Sequence, residues 1–259
     1  MSVARCLLPV LLAGCAASAP SIRETTQAVL WVQSSAEYAA AVRQSYALAQ
    51  RRLEEALAGK PASPAVVLDL DETVLDNSGF EAGLVSRDQE FTLEAWRAWL
   101  AGTGARAVPG AVEFVRHARS LGVEVYFVTN RPQRFREPTL LTLAKLGLKA
   151  GEDAGLHLWM RDEQPGWTDD KTSRREAVAA KHALVLLVGD DLNDFVDCTR
   201  RTPAQRRELA LQHADRFGKD WILLPSPIWG SWLESVFGYQ DDLPAAQRRV
   251  RQLGELRRD

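Results

Sequence analysis

The sequence has few cysteines and no excess of basic residues. Its three cysteines are Cys6, Cys15 and Cys198, and none begins the Cys-x5-Arg motif of cysteine phosphatases, because the sixth residue after Cys198 is Ala204. A catalytic thiolate of that kind is therefore not expected. Lys plus Arg total 32 against 34 for Asp plus Glu, so we do not expect a nucleic-acid polymer as a partner.

The sequence also lacks an apolar run near the amino terminus that could span a bilayer. The stretch from Cys6 to Leu12 is short and contains Pro9. It follows Arg5 and runs into Leu-Leu-Ala-Gly-Cys at residues 11–15, a segment that resembles a bacterial lipobox. The alternative is a start codon assigned too far upstream.

The lipobox predicts a lipoprotein signal peptide at residues 1–14 and lipidation of Cys15. The protein would then be anchored by lipid in the bacterial outer membrane or periplasm. Residues 15–27 are mostly small or polar and aperiodic, and we interpret them as a tether. Once Cys6 is removed and Cys15 is acylated, Cys198 has no partner for an intramolecular disulfide, so stability must come from the hydrophobic core.

Residues 28–259 are predicted to form one α/β domain. An amphipathic helical pattern covers residues 28–58, with a break near Ser34 and Ser35. No internal repeat is evident. Strand-like runs follow at 64–68, 123–128, 156–160, 184–188 and 221–224, and further helical patterns lie at 111–120, 172–182 and 244–257.

Two aspartates, Asp69 and Asp71, directly follow the first predicted strand. Side chains alternate along a strand, so both carboxylates leave the strand end on one face. Like charges this close cannot both ionise cheaply, and the arrangement calls for a bound cation, a shared proton, or both. An EF-hand loop starting at Asp69 is excluded, because its sixth and twelfth positions hold Val74 and Phe80 instead of Gly and Glu.

Polar residues also follow the later strands. In an open parallel sheet, ligands bind outside the carboxyl ends of the strands. Taken singly, each residue also fits a helix cap or a solvated surface position, but their joint occurrence at strand ends favours one site. The residues are Thr129, Asn130, Lys171, Asp190 and Asp194.

Three arginines, Arg131, Arg134 and Arg136, come after the second strand. Their positions fit phosphate attraction and helix-surface solvation equally well, and we do not assign them to the site. An Arg-His-Gly loop of a histidine phosphatase is not found, since Arg116-His117-Ala118 lies inside a helical pattern and lacks the glycine.

The residues at the strand ends resemble the four ordered motifs of the haloacid dehalogenase (HAD) superfamily phosphohydrolases. Within this superfamily, residues 67–77 and 188–195 are similar to the class C acid phosphatases, bacterial outer-membrane lipoproteins that hydrolyse phosphomonoesters, including 5'-nucleotides. The likeness extends over residues 28–240. It implies a Rossmann-like open parallel sheet with an N-terminal helical segment and a small helical cap, inserted at about residues 77–106.

The resemblance implies roles for the residues at the strand ends. Asp69 would be the nucleophile that forms an aspartyl-phosphate, and Asp71, protonated at the start, would carry the proton. Thr129 and Lys171 would hold the phosphoryl oxygens, and Asn130 would add a backbone N–H. The implied cofactor is Mg²⁺, with Asp69, the Asp71 carbonyl, Asp190 and Asp194 in its metal site, Asp194 in its outer shell.

Asp191 is ambiguous within this pattern. The resembling enzymes usually have Asn at this position, whereas Asn193 stands where Asp is common. A carboxylate at 191 would either tune the metal affinity or face solvent.

Two aromatic groups are candidates for contacts with a nucleotide base. Phe80 lies in the insertion, and Trp229 lies in a loop rich in Pro and Gly after the last strand. We predict that these two rings stack on the leaving group, and we interpret Trp96 and Trp99 as core. The alternatives to a phosphatase are a phosphotransferase on the same scaffold and a non-catalytic surface lipoprotein that binds a partner.

Overall fold

The computed structural model describes residues 23–102, 104–151, 155–240 and 243–257. The predicted signal peptide, the lipidation site Cys15 and most of the predicted tether lie outside these ranges. No helix within them is long and apolar enough to cross a membrane.

The centre of the molecule is an open, fully parallel sheet of five strands with the spatial order β5-β4-β1-β6-β7. This confirms the predicted α/β class and Rossmann-like sheet. The chain adds β4 and β5 on one side of β1 and then returns to add β6 and β7 on the other side. The strands are β1 Pro64–Leu68, β4 Glu124–Pro132, β5 Leu156–Arg161, β6 Ala183–Gly189 and β7 Trp221–Leu223.

Side chains alternate between the two faces of the central strands, and each face has its own hydrophobic core. In β1, Val66 and Leu68 join the larger core, whereas Ala65 and Val67 join the smaller one. All four side chains are buried, as expected for a parallel sheet covered by helices on both faces. The strand ends therefore project beyond two closed cores, and polar residues that follow them gather at one edge.

Two helices precede the sheet, α1 (Arg23–Ser34) and α2 (Ala36–Ala58). The predicted break between them is confirmed, since Ser35 Oγ accepts from Tyr38 N at 3.0 Å and caps α2. The predicted boundary of the tether differs from the structure, because residues 23–27 belong to α1. Their spacing showed no periodicity because the first turns of α1 carry mainly charged and polar residues.

The segment between β1 and β4 forms a helical insertion closed by a small ribbon. β2 (Leu75–Asp76) pairs antiparallel with β3 (Arg106–Ala107), and α3 (Ser78–Arg87) and α4 (Leu93–Gly102) lie between them. The remaining helices are α5 Ala111–Ser120, α6 Arg136–Lys145, α7 Thr172–Ala179, α8 Pro203–Gln212, α9 Ser231–Val236 and α10 Ala245–Glu255.

Candidate active site

Three carboxylates meet at the carboxyl edge of the sheet. Asp69 follows β1, and Asp190 and Asp194 follow the adjacent strand β6; one oxygen from each lies within 4.8 Å of the others. The backbone N–H of Asp69 continues the ladder by donating to Val188 O at 2.9 Å. Strand pairing thus brings together three of the residues predicted to surround a metal.

Lys171 lies between two of these carboxylates. Its buried Nζ donates to Asp69 Oδ1 and, at 2.7 Å, to Asp194 Oδ1. Burial alone would lower the pKa of Lys171, but the charges of Asp194 and Asp69 outweigh it and raise the pKa above its ordinary value. The lysine therefore stays a cation at neutral and acidic pH.

Asp194 is oriented by the backbone of its own loop. Its Oδ2 accepts from Asp190 N at 3.1 Å and from Asp191 N at 2.9 Å. Gly189 makes room for it, because a Cβ at this position would collide with the Asp194 carboxylate. Asp194 therefore fixes both the shape of the loop and the place of Lys171.

The cluster carries more negative charge than one lysine can balance. Burial raises the pKa of Asp69 to about 7 despite the attraction of Lys171. Burial and the charges of Asp69 and Asp194 also raise the pKa of Asp190 well above its ordinary value. Oxygen ligands with surplus negative charge suit a hard divalent cation such as Mg²⁺. Asp69, Asp190 and Asp194 therefore fit a metal site.

Asp71 turns its carboxylate to Arg131 and is not part of the three-carboxylate cluster. Arg131 Nη2 donates to Asp71 Oδ1 at 2.5 Å and Nε donates to Oδ2 at 2.9 Å, while Asn77 Nδ2 donates to Oδ1 at 2.8 Å. Burial raises the pKa of Asp71, but these donors outweigh burial and hold it below its ordinary value. The pairing favours the ionised form, not the protonated starting form predicted from sequence.

Sequence reasoning missed Arg131, whose side chain is only 2% exposed. Its Nη1 donates to Thr139 Oγ1 at 3.1 Å, and its guanidinium lies 5.6 Å from the centre of the Trp96 ring. Strand alternation is the signal that points to it, because Arg131 lies two residues beyond Thr129 in β4. Arg134 is exposed.

Thr129 and Asn130 lie near the end of β4, next to β1. Thr129 is fully buried. The Asn130 side chain ties β4 to the loop before α7, since Nδ2 donates to Asp169 O at 2.9 Å and Oδ1 accepts from Arg174 at 2.6 Å. Arg174, also fully buried, donates to Thr129 O at 2.7 Å. The roles of Thr129 and Asn130 toward a phosphoryl group stay predictions.

The N-terminal helix α2 supports the carboxylate cluster through Thr73. The phenol of Tyr46 donates to Thr73 O at 2.7 Å, and Thr73 Oγ1 donates to Asp190 Oδ1 at 3.0 Å. Tyr46 and Thr73 are both buried. No sequence signal linked Tyr46 to the site, because the contact joins residues of α2 to the loop after β1.

Asp191 neither joins the carboxylate cluster nor faces solvent. Its side chain is 14% exposed and accepts hydrogen bonds from Ser231 and Arg206. Burial raises the pKa of Asp191, but Arg206 and Ser231 outweigh burial and lower it. The side chain therefore does not face solvent, and an effect of this carboxylate on metal affinity stays a prediction.

Phe80 lies inside the insertion, which does not fit the predicted contact with a substrate. It is 5% exposed, and its ring centre lies 5.1 Å from that of Trp96, 6.0 Å from Phe91 and 6.1 Å from Trp99. A ring surrounded in this way serves packing. The sequence pattern could not show which aromatic residue of the insertion is buried and which is exposed, since all four belong to one cluster.

Trp229 and Phe91 form an exposed aromatic pair between the last loop and the insertion. Trp229 is 36% exposed and Phe91 is 47% exposed, with their ring centres 5.8 Å apart. The indole N–H of Trp229 donates to Glu81 Oε1 at 2.5 Å. Trp229 keeps an accessible surface, and Phe91 is the aromatic residue of the insertion that shares it.

Comparisons with known proteins agree with this geometry. The family model described as HAD superfamily, subfamily IIIB (acid phosphatase), matches residues 15–232. The class C acid phosphatase from Bacillus anthracis is similar to the chain with a TM-score of 0.85 and 29% identity, over 92% of this chain and 98% of that one. The same enzyme with tungstate bound gives a TM-score of 0.84 and 28% identity over the same shares.

Proposed function

The chain belongs to the acid phosphatases of HAD superfamily subfamily IIIB, which hydrolyse phosphomonoesters, and we propose that it does so through an aspartyl-phosphate on Asp69 with Mg²⁺ as cofactor. The observation that carries the proposal is the cluster of Asp69, Asp190 and Asp194 around the buried Lys171. When bound, Mg²⁺ would neutralise charge on the phosphoryl oxygens. Phosphoryl transfer depends mainly on such positioning and charge compensation.

In the first step, an Asp69 oxygen forms a bond to phosphorus while the bond from phosphorus to the ester oxygen breaks. The leaving oxygen takes a proton from Asp71. In the second step, water attacks phosphorus, its proton passes to Asp71, and phosphate leaves as the Asp69 carboxylate is restored. The ionised Asp71 held by Arg131 is the form required by the second step, and the proton that it then takes from water is the one that it gives to the leaving oxygen of the next substrate.

Lys171 and Thr129 are proposed to bind the phosphoryl oxygens. Lys171 already neutralises carboxylates at the cluster, and it can share its three N–H donors with a phosphate. The related enzyme from Bacillus anthracis has been crystallised with tungstate bound, an oxyanion like phosphate. We extend oxyanion binding to this chain as part of the proposal.

Asp69→Asn removes the nucleophile with little change in shape, and we expect turnover of p-nitrophenyl phosphate to fall by at least about 1,000-fold. Asp197→Asn is the matched control, since Asp197 is exposed and outside the cluster. EDTA should abolish activity, and added Mg²⁺ should restore it. Full activity of Asp69→Asn, or activity that survives EDTA, would exclude the mechanism.

Nucleoside 5'-monophosphates are the proposed preferred substrates, because Trp229 and Phe91 offer rings on which a base can stack. Transfer to an acceptor other than water is the remaining chemical alternative. Free phosphate and phosphorylated alcohol, measured with ethanol added as acceptor, distinguish the two.

We also propose that lipidation of Cys15 anchors the enzyme to the bacterial outer membrane. Labelling with a radioactive fatty acid should mark the wild-type protein and not Cys15→Ser, and the variant should move from the membrane to the soluble fraction. Cys198→Ser is the control, because that buried thiol lies far along the chain from the lipobox. Equal labelling of wild type and Cys15→Ser would contradict the assignment.

A further inference from the structure

Asp191 lies in a site built from hydrogen-bond donors. Its Oδ1 accepts from Asn193 N at 2.9 Å, Ser231 Oγ at 2.6 Å and Arg206 Nη2 at 3.2 Å, and its Oδ2 accepts from Ser231 N at 2.6 Å. A carboxylate accepts on both oxygens, whereas an amide would turn its NH₂ group against one of these donors. This environment favours Asp over Asn at position 191.

The donors on Ser231 belong to the segment that follows β7. Gly230 precedes Ser231 with φ of 150°, and a Cβ there would lie 3.0 Å from Asp191 Oδ2 and 2.5 Å from Trp232 Cδ1. The backbone thus approaches Asp191 more closely than a residue with a side chain allows. Arg206, on α8, also holds this segment in place, because it donates to both Asp191 and Ser231.

Trp229 lies two residues before Ser231 and is held from both sides. Its indole N–H donates to Glu81 of α3, and its carbonyl oxygen accepts from Ser226 Oγ at 3.0 Å and Trp232 Nε1 at 3.2 Å. The insertion therefore holds the ring, while Asp191 holds the backbone just beyond it. Asp191 connects this segment to the loop of Asp190.

We propose that Asp191 is a positioning residue that fastens residues 226–232 to the loop of Asp190 and so places Trp229 beside substrates with an aromatic leaving group. The inference rests on the proposed function, which assigns Asp190 to the metal. In this positioning role, Asp191 binds no metal and touches no substrate.

The kinetic test compares Asp191→Asn with Asp197→Asn, which removes an exposed carboxylate of the same stretch. KM and kcat are measured for p-nitrophenyl phosphate and for glycerol phosphate at saturating Mg²⁺. In Asp191→Asn, KM for the aromatic substrate should rise about 5-fold or more relative to KM for glycerol phosphate, the scale of a weakened stacking contact. Ser231→Ala should shift the same ratio in the same direction. An unchanged ratio overturns the proposal.

Two measurements without substrate complete the test. Calorimetric titration with Mg²⁺ should give Asp191→Asn the dissociation constant of the wild type, whereas Asp190→Asn should bind more weakly. Amide hydrogen exchange of residues 226–236 should be faster in Asp191→Asn than in Asp197→Asn. Equal loss of Mg²⁺ binding in Asp190→Asn and Asp191→Asn would make Asp191 a ligand and overturn the proposal.

The outcomes separate this inference from the function on which it rests. If the wild type hydrolysed neither substrate, the proposed function would fail. The exchange comparison would still show whether Asp191 fastens the segment, and unchanged exchange in Asp191→Asn would overturn that part by itself.

Discussion

Arg131 determines the direction and the charge of the Asp71 carboxylate through a forked contact. A guanidinium donates in two parallel directions, whereas an ammonium acts as a point charge, so Lys cannot reproduce the fork. Trp96 and Thr139 pack against the same side chain and keep it in place. Arg131 therefore acts through Asp71.

Arg131→Lys should lower kcat about 10-fold and Arg131→Met about 100-fold, with a smaller change in KM. The reason is that Asp71 is the proposed proton carrier, and misplacing it costs general acid–base catalysis. Steady-state kinetics on p-nitrophenyl phosphate measures both constants. Arg134→Met is the control, since Arg134 is exposed, lies three residues after Arg131 and makes no contact with Asp71 among the contacts described. A change in KM alone would instead place Arg131 in substrate binding.

The residues that sequence could assign are those next to a strand end. Each of these residues lies beside a strand or helix that is clear in the sequence, so a common site could be predicted, and the structure brings them together. They are Asp69, Lys171, Asp190 and Asp194. Arg131, by contrast, contacts Asp71 across 60 positions of the sequence. Such contacts depend on how the insertion packs on β4, which hydrophobic periodicity does not encode.

At the scale of elements, the insertion and the loop after β7 form the aromatic surface of the site. Two rings of this surface are exposed and one ring beneath it is buried. The exposed rings belong to Phe91 and Trp229, and the buried ring is that of Phe80. Their different exposure predicts different effects of truncation.

Trp229→Ala and Phe91→Ala should each raise KM for AMP about 5-fold or more while KM for glycerol phosphate changes less, because stacking is worth roughly 1–3 kcal/mol per base. Phe80→Ala should instead destabilise the fold by about 3–5 kcal/mol, the usual cost of emptying a buried aromatic site. Kinetics and thermal unfolding separate the two classes. Leu211→Ala, at a side chain that is 75% exposed, controls for the loss of apolar surface. Equal shifts in KM for both substrates would exclude stacking.

The sequence predicts the helices and strands that have strong hydrophobic periodicity, and it does not predict those in which this periodicity is weak. All five strands of the sheet and the helices α2, α5, α7 and α10 were expected close to their observed bounds. The two-residue strands β2 and β3 are too short to show alternation. Helix α8 buries only Arg206, so its sequence carries no apolar stripe that would indicate a helix.

At the scale of the whole molecule, the carboxylate cluster couples stability to pH. The pKa of Asp69 rises from 3.8 to about 7 on folding, and burial also raises those of Asp190 and Glu72. Between about pH 4 and 7 the folded state therefore binds more protons than the unfolded state, and the free energy of unfolding falls as the pH rises. Asp71, whose pKa is lowered, opposes this trend in part.

In EDTA, Tm should therefore fall by about 5 °C or more between pH 5 and pH 7.5, since about 1 kcal/mol corresponds to 2–4 °C in a chain of this size. As the proposed cofactor, Mg²⁺ would bind the ionised carboxylates and should raise Tm more at pH 7.5 than at pH 5. Calorimetry at both pH values measures this. Asp190→Asn should weaken both the pH effect and the Mg²⁺ effect, and a Tm that rises with pH in EDTA would contradict the assigned charge balance.

Helix α2 contributes five buried residues to the core of the enzyme, although it comes early in the sequence. Its Tyr46 supports Thr73, and Thr73 in turn contacts Asp190. A form of the enzyme shortened at its amino terminus should therefore keep the whole of α1 and α2 and begin upstream of Arg23. A cut within residues 36–58 would disrupt the helix that holds Thr73 and, through it, Asp190, so proteolysis at that point should inactivate the enzyme.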